Sequence, residues 1–130
     1  MSELHTGLFA EHESTVKETD TASAWGSGSV HVFSTPALVG LMESAAVIAL
    51  RGYLPTGQTT VGSRIDLHHL AATPVGMRVH SRAELTTIEG RKLTFKIQAW
   101  DEVDLIGEAE HQRFVVDEAR FVAKVESKGR

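Results

Sequence analysis

Apolar positions in this chain fall into two regimes. Between Pro36 and Leu50 nearly every side chain is apolar. Glu43 is the single charge and Ser44 the single other polar side chain. An element that is apolar on all faces belongs inside the molecule. Ser34-Thr35-Pro36 reads as its start, with proline at the first helical position and a hydroxyl residue ahead of it as the cap. Arg51-Gly52 and Pro55 end it. After the helix the period drops to two. Thr59–Leu70, Met77–Ile88, Leu93–Trp100 and Leu105–Val116 each alternate, as half-buried antiparallel strands do. Val61, Ser63, Ile65, Leu67 and His69 are expected to share the inward face, with Gly62 on the opposite parity. Leu105, Gly107, Ala109, His111, Arg113 and Val115 share a face in the last strand. A weaker pattern over Leu8–Lys17 predicts an earlier strand. Asp117–Lys124 reads as either a further strand or a short helix. Thr19–Ser29, rich in Thr, Ser, Ala and Gly, reads as a loop that covers a site or merely connects.

A strand, a buried helix and four further strands predict an α+β fold in which a curled antiparallel sheet of about five strands wraps a long central helix, the order of a hot-dog fold. Such a sheet has free edges and leaves one helix flank uncovered. Dimerisation is the usual way to close both.

The 130 residues are expected to form one domain over 1–130. Thirteen Lys and Arg against seventeen Asp and Glu give a formal charge of −4, which argues against nucleic acid as a partner. The absence of cysteine excludes disulfides, Cys-ligated zinc and a thiol nucleophile. The seven histidines lack metal-ligand spacing, so neither a metal nor a cofactor is expected. No stretch reads as a signal peptide or a membrane span, and a cytoplasmic location is expected.

Candidate chemistry starts at Glu43. A carboxylate in so apolar a helix is expected to be buried, with its pKa raised toward the range of a general base. The alternative is a structural pair with an arginine. His69, expected inward, is the acid–base partner to set against it. Thr35 either caps the helix or holds a water or carbonyl at the positive helix end. Thr35 and Glu43 lie about 12 Å apart along a regular helix. They can share one substrate only if the helix begins later or a neighbouring subunit closes the gap. Gly62 marks a bulge or a close backbone approach, with its N–H as a candidate oxyanion donor. Arg113, inward on the last strand, wants a carboxylate or a bound anion, and Glu43 is one candidate.

These residues resemble a known family. The run Gly40-Leu41-Met42-Glu43 with Thr35 ahead of it looks like the central helix of fluoroacetyl-CoA thioesterase and its hot-dog relatives. His69-Leu70-Ala71-Ala72-Thr73-Pro74 followed by Gly76 is similar to that family's histidine strand. Glu89-Gly90-Arg91-Lys92-Leu93 and Gly107–Arg113 continue the likeness, which covers roughly Phe33–Lys124. The resemblance implies a catalytic Thr35, Glu43 and His69, with Gly62 and Arg113 on the substrate side. It also implies hydrolysis of an acyl-CoA thioester to free acid and CoA, and a homodimer with sites at or near the interface. The family's aromatic-rich lid is replaced here by the Gly/Ser-rich Trp25–Val32, so the expectation is the broader class of small acyl-CoA. Arg64, Arg78, Arg82, Arg91 and Lys92 are scattered candidates for the CoA phosphates. The rival readings are a non-catalytic acyl-CoA-binding or ligand-sensing domain, and a structural domain with Glu43 and Arg113 paired.

Overall fold

A computed structural model describes residues 3–129. The strands are β1 (Phe9–Thr15), β2 (Gln58–His69), β3 (Arg78–Glu89), β4 (Lys92–Trp100) and β5 (Leu105–Asp117). The helices are α1 (Ala22–Trp25), α2 (Thr35–Ala49) and α3 (Glu118–Ser127). All five strands form one antiparallel sheet in the order β1-β3-β4-β5-β2, curled around α2 in the hot-dog arrangement. The segment after Asp117, open between strand and helix in the sequence, is helical. The Asp117 carboxylate caps it by accepting from the Arg120 N–H at 3.0 Å.

The start of α2 differs from expectation in one atom that matters. Ser34 Oγ, not Thr35, accepts the Ala37 N–H at 3.1 Å and caps the helix. Proline then sits at the second helical position, where its missing N–H costs nothing. Thr35 keeps helical backbone and a free hydroxyl.

Leu38, Leu41, Met42, Ala45, Ala46 and Ala49 are the buried side of α2. The facing residues of β3 and β4, among them Val79, Leu85, Phe95 and Ile97, are buried to 1% exposure or less. β2 is different: Ile65, Leu67 and His69 point inward yet remain half-buried. The helix packs chiefly on β1 and β3 and only lightly on β2. The flank of α2 toward β2 is therefore open, and Val47 on the helix is 40% exposed. β2 is also a sheet edge of twelve residues. The apolar helix and the long bare edge fall on one side of the molecule. No helix among the described residues is long and apolar enough to cross a membrane.

The register of β2 corrects the sequence reading. Gly62 pairs with Arg113 and Arg64 with Gln112, so Ser63 is an extra residue in a β-bulge. One extra residue reverses the alternation. Upstream of the bulge Thr60 and Gly62 face inward and Val61 outward, the reverse of the uninterrupted alternation. Gly62 thus shares a face with His69, not the opposite one.

Candidate active site

α2 and β2 together carry two polar clusters. The first is at the start of the helix. Thr35 Oγ1 and His69 Nδ1 are 2.8 Å apart. The helix cap makes this possible: with Ser34 satisfying the backbone, the Thr35 hydroxyl is free to reach across to β2. Both residues line a cleft of about 390 Å³ whose other walls include Ser27 and Val32 from the Gly/Ser-rich loop and Leu70, Ala71 and Ala72 after β2. The second imidazole nitrogen, Nε2, is buried without a hydrogen-bond partner among the described residues. Burial pushes the His69 pKa below its ordinary value, with a backbone contact to Ala71 pulling the other way. The ring is thus biased toward its neutral form, able to act as a base at one nitrogen and a donor at the other.

The second cluster is two helical turns further on. Arg113 Nη1 donates to Glu43 Oε2 at 3.1 Å. Arg113 is itself tethered. Its Nε donates to Thr60 Oγ1 at 2.9 Å and its Nη2 to the Thr60 carbonyl at 3.2 Å. His111 Nε2 lies 3.2 Å from Arg113 Nη1 and 3.7 Å from Glu43 Oε2. Among the described residues only Oε2 of the carboxylate is engaged. Gly62 gives it room: a Cβ there would stand 2.5 Å from Glu43 Oε2. The glycine is required by a side chain approaching across the sheet, not by its backbone angles.

Two expectations fail here. Glu43 is not buried within one chain; its side chain is 39% exposed and leans over the sheet toward Arg113, through the flank that β2 leaves open. Nor does it face His69, whose partner is Thr35. Because α2 starts at Thr35, the eight-position separation of Thr35 and Glu43 places the clusters about 12 Å apart along the axis. The structure brings Thr35 to His69, and Glu43 to Gly62 and Arg113.

Sequence reasoning assigned no role to His111 or Thr60. The signal for His111 was available: it shares parity with Arg113 two residues on, and an inward arginine beside an inward histidine implies a common acceptor. Thr60 was hidden by the bulge, which turns it inward. The cationic candidates for CoA phosphates stay dispersed. Arg64 and Arg78 lie 3.9 Å from Glu110 and Glu13, Arg82 donates to Glu84 at 3.1 Å, and Lys92 lies 3.9 Å from Glu89. Arg91 is exposed and its Nη1 donates to the Val115 carbonyl at 3.4 Å.

Comparison with known proteins gives this arrangement a context. Residues 16–119 match the family described as fluoroacetyl-CoA-specific thioesterase. A curated fluoroacetyl-CoA thioesterase from Streptantibioticus cattleyicolor is 45% identical over 97 residues, 75% of this chain and 70% of that protein. A solved structure of the fluoroacetyl-CoA thioesterase FlK superposes with a TM-score of 0.91 at 36% identity, covering 98% of each chain. A Thermus thermophilus protein described as a thioesterase superfamily member superposes with a TM-score of 0.90 at 28% identity, covering 99% of this chain and 96% of that one.

Proposed function

We propose, for a chain that belongs to the fluoroacetyl-CoA-specific thioesterase family, that it hydrolyses small acyl-CoA thioesters at a composite site in which Thr35 and His69 of one subunit meet Glu43, Gly62 and Arg113 of the other. The observation that carries this reading is the pairing of Thr35 with His69 at 2.8 Å and of Glu43 with Arg113 at 3.1 Å, on one face but in separate clusters. A helix that starts at Thr35 removes the alternative of a late start, and a second subunit on the open flank remains. The bare β2 edge and the uncovered side of α2 are the surfaces that a homodimer would close.

The chemistry follows from the two clusters. Glu43 Oε1 is left free by an arginine that grips only Oε2. It acts as nucleophile on the thioester carbonyl or as base on a water. Arg113 anchors the carboxylate through a charge-assisted hydrogen bond. Paired with the Thr35 hydroxyl, the neutral His69 imidazole relays a proton taken up from water in the cleft to the departing thiolate, and the ring is neutral before and after the step. The Gly62 N–H is the candidate oxyanion donor beside the carboxylate. A cytoplasmic location accompanies a CoA substrate.

Fluoroacetyl-CoA is one member of the substrate panel rather than the assumed substrate. The loop wall contributes Ser27 and Val32, whereas Trp25 is 55% exposed and absent from the cleft lining. The test is free-thiol release from acetyl-, fluoroacetyl-, propionyl- and longer acyl-CoAs by wild type and E43Q. Turnover lost by several orders of magnitude in E43Q, with the oligomer intact, supports the reading. Wild-type rates in E43Q, or binding of CoA esters by the wild type without any thiol release, overturns it in favour of a different carboxylate or a binding domain.

A further inference from the structure

We propose that His111 is a positioning residue that fixes how Arg113 holds Glu43, and that its neutral form is required for that hold. The proposal rests on Glu43 being the reacting carboxylate.

The geometry is specific about the state of the ring. His111 is 1% exposed. Its Nδ1 lies 2.7 Å from the Arg64 carbonyl, an acceptor only, so Nδ1 carries the proton. Nε2 is then a bare lone pair, and it accepts from Arg113 Nη1 at 3.2 Å. The two hydrogens on Nη1 divide between His111 Nε2 and Glu43 Oε2. Nε and Nη2 are spoken for by Thr60. Left alone, a guanidinium prefers to grip both oxygens of a carboxylate with a parallel pair of N–H groups. Here Thr60 and His111 hold its edge away, so one oxygen is anchored and the other is presented.

The surroundings of His111 come from four elements. α2 contributes Glu43, and β5 itself contributes Arg113. β2 contributes the Arg64 backbone and Thr60, the Arg64 side chain being 57% exposed on the other face. β4 contributes the Phe95 ring, 6.2 Å away. Desolvation is the largest influence and disfavours the charged ring, as does Arg113; the Arg64 hydrogen bond and Glu43 favour it, and the net pKa is lowered. Protonation would place a hydrogen on Nε2 facing the Arg113 N–H. Donor would oppose donor, and two cations would compete for Glu43 Oε2.

Two variants and one spectrum test this. H111L keeps bulk and removes the acceptor; one Arg113 Nη1 hydrogen then has no partner but Glu43, and the hold on the carboxylate shifts. H111Q offers an amide oxygen near the Nε2 position and cannot titrate. The expected result is a kcat loss on the order of 10- to 100-fold in H111L with KM little changed, from misplacement of a reacting group. H111Q recovers a large part of that loss. The acid limb of log kcat/KM against pH is steeper in the wild type than in H111Q, which has one titrating imidazole fewer at the site. A folded H111L with wild-type kcat, or a folded H111Q whose acid limb keeps the wild-type slope, overturns the proposal. Imidazole 15N spectra of the wild type provide a readout independent of turnover. A bare Nε2 and protonated Nδ1 at neutral pH support the proposal, and the opposite tautomer overturns it even if the protein hydrolyses acyl-CoA. Supporting spectra from a protein that releases no thiol would leave the arginine hold intact and fail the thioesterase reading alone.

Discussion

Replacing Gly62 by alanine is expected to separate activity from stability. The added Cβ would stand 2.5 Å from Glu43 Oε2, 3.3 Å from Arg113 Nη1 and 3.4 Å from His111 Cε1. The last two contacts are tight but tolerable. The first is not, and Oε2 has to retreat by about 0.9 Å to reach ordinary van der Waals distance. That retreat breaks the 3.1 Å hydrogen bond from Arg113, which its bonds to Thr60 prevent from following. The carboxylate is the end of a flexible, 39% exposed side chain, so it can turn to water at little cost. Gly62 does not have a positive φ, so alanine brings no backbone strain. The expected loss of stability is therefore within about 1 kcal/mol, roughly 3–5 °C in Tm for a chain of this size. The expected loss of kcat is on the order of 100-fold, the scale associated with a 1 Å misplacement of a reacting group. Thermal denaturation and thiol release from an acyl-CoA measure the two effects on one preparation. Wild-type kcat in a folded G62A refutes the reasoning, because Glu43 would then work from a position that this structure forbids.

Two further expectations follow from the local geometry. Ser34 and Thr35 have divided labour: S34A loses the helix cap and about 1 kcal/mol of stability, whereas T35V leaves stability within about 0.5 kcal/mol and lowers kcat. Equal stability losses in the two variants, read by thermal melts, would contradict that division. Stability also depends on pH through two inward imidazoles, His69 half-buried and His111 buried. His69 and His111 both have folded-state pKa values below the unfolded value of 6.5, burial being the main cause. The unfolded chain therefore takes up protons first as pH falls. Their neutral burial leaves the fold fully stable above about pH 6.5, and stability is lost as pH drops from there through the folded-state values. Urea titrations between pH 8 and pH 5 should show the midpoint falling, and less so in H111Q; a midpoint that rises as pH falls would reverse the sign of this account.

The elements of the fold were legible because each carries an unbroken period. α2 is apolar all round and every strand after it alternates, so the helix and the four later strands appear within one or two residues of where the pattern puts them. What the alternation did not reveal was the bulge at Ser63, because one additional residue in a polar stretch leaves no mark on composition. Uninterrupted alternation consequently puts Gly62, and Thr60 two residues before it, on the wrong face. Thr35, Glu43, His69 and Arg113 stood out as polar groups on inward or apolar positions, but which of them meet depends on a cap. Ser34 and Thr35 are both competent N-caps, and the choice between them decides whether the Thr35 hydroxyl is free. The burial expected for Glu43 failed for a related reason. The composition of α2 reports that the helix is to be covered, without saying that part of the cover is absent from a single chain.

The central claim is that one site is assembled from two subunits, and subunit mixing tests it directly. T35A retains Glu43, Gly62 and Arg113; E43Q retains Thr35 and His69. Each homodimer alone is expected to be nearly inactive. Mixed through reversible unfolding, half of the dimers are heterodimers, and each of these has one site with both halves intact. The account predicts recovery of thiol release to about one quarter of the wild-type rate for equal mixing of the two subunits. A mixture that forms heterodimers and stays as inactive as its parents would mean that Thr35 and Glu43 act within the same chain, and would contradict it.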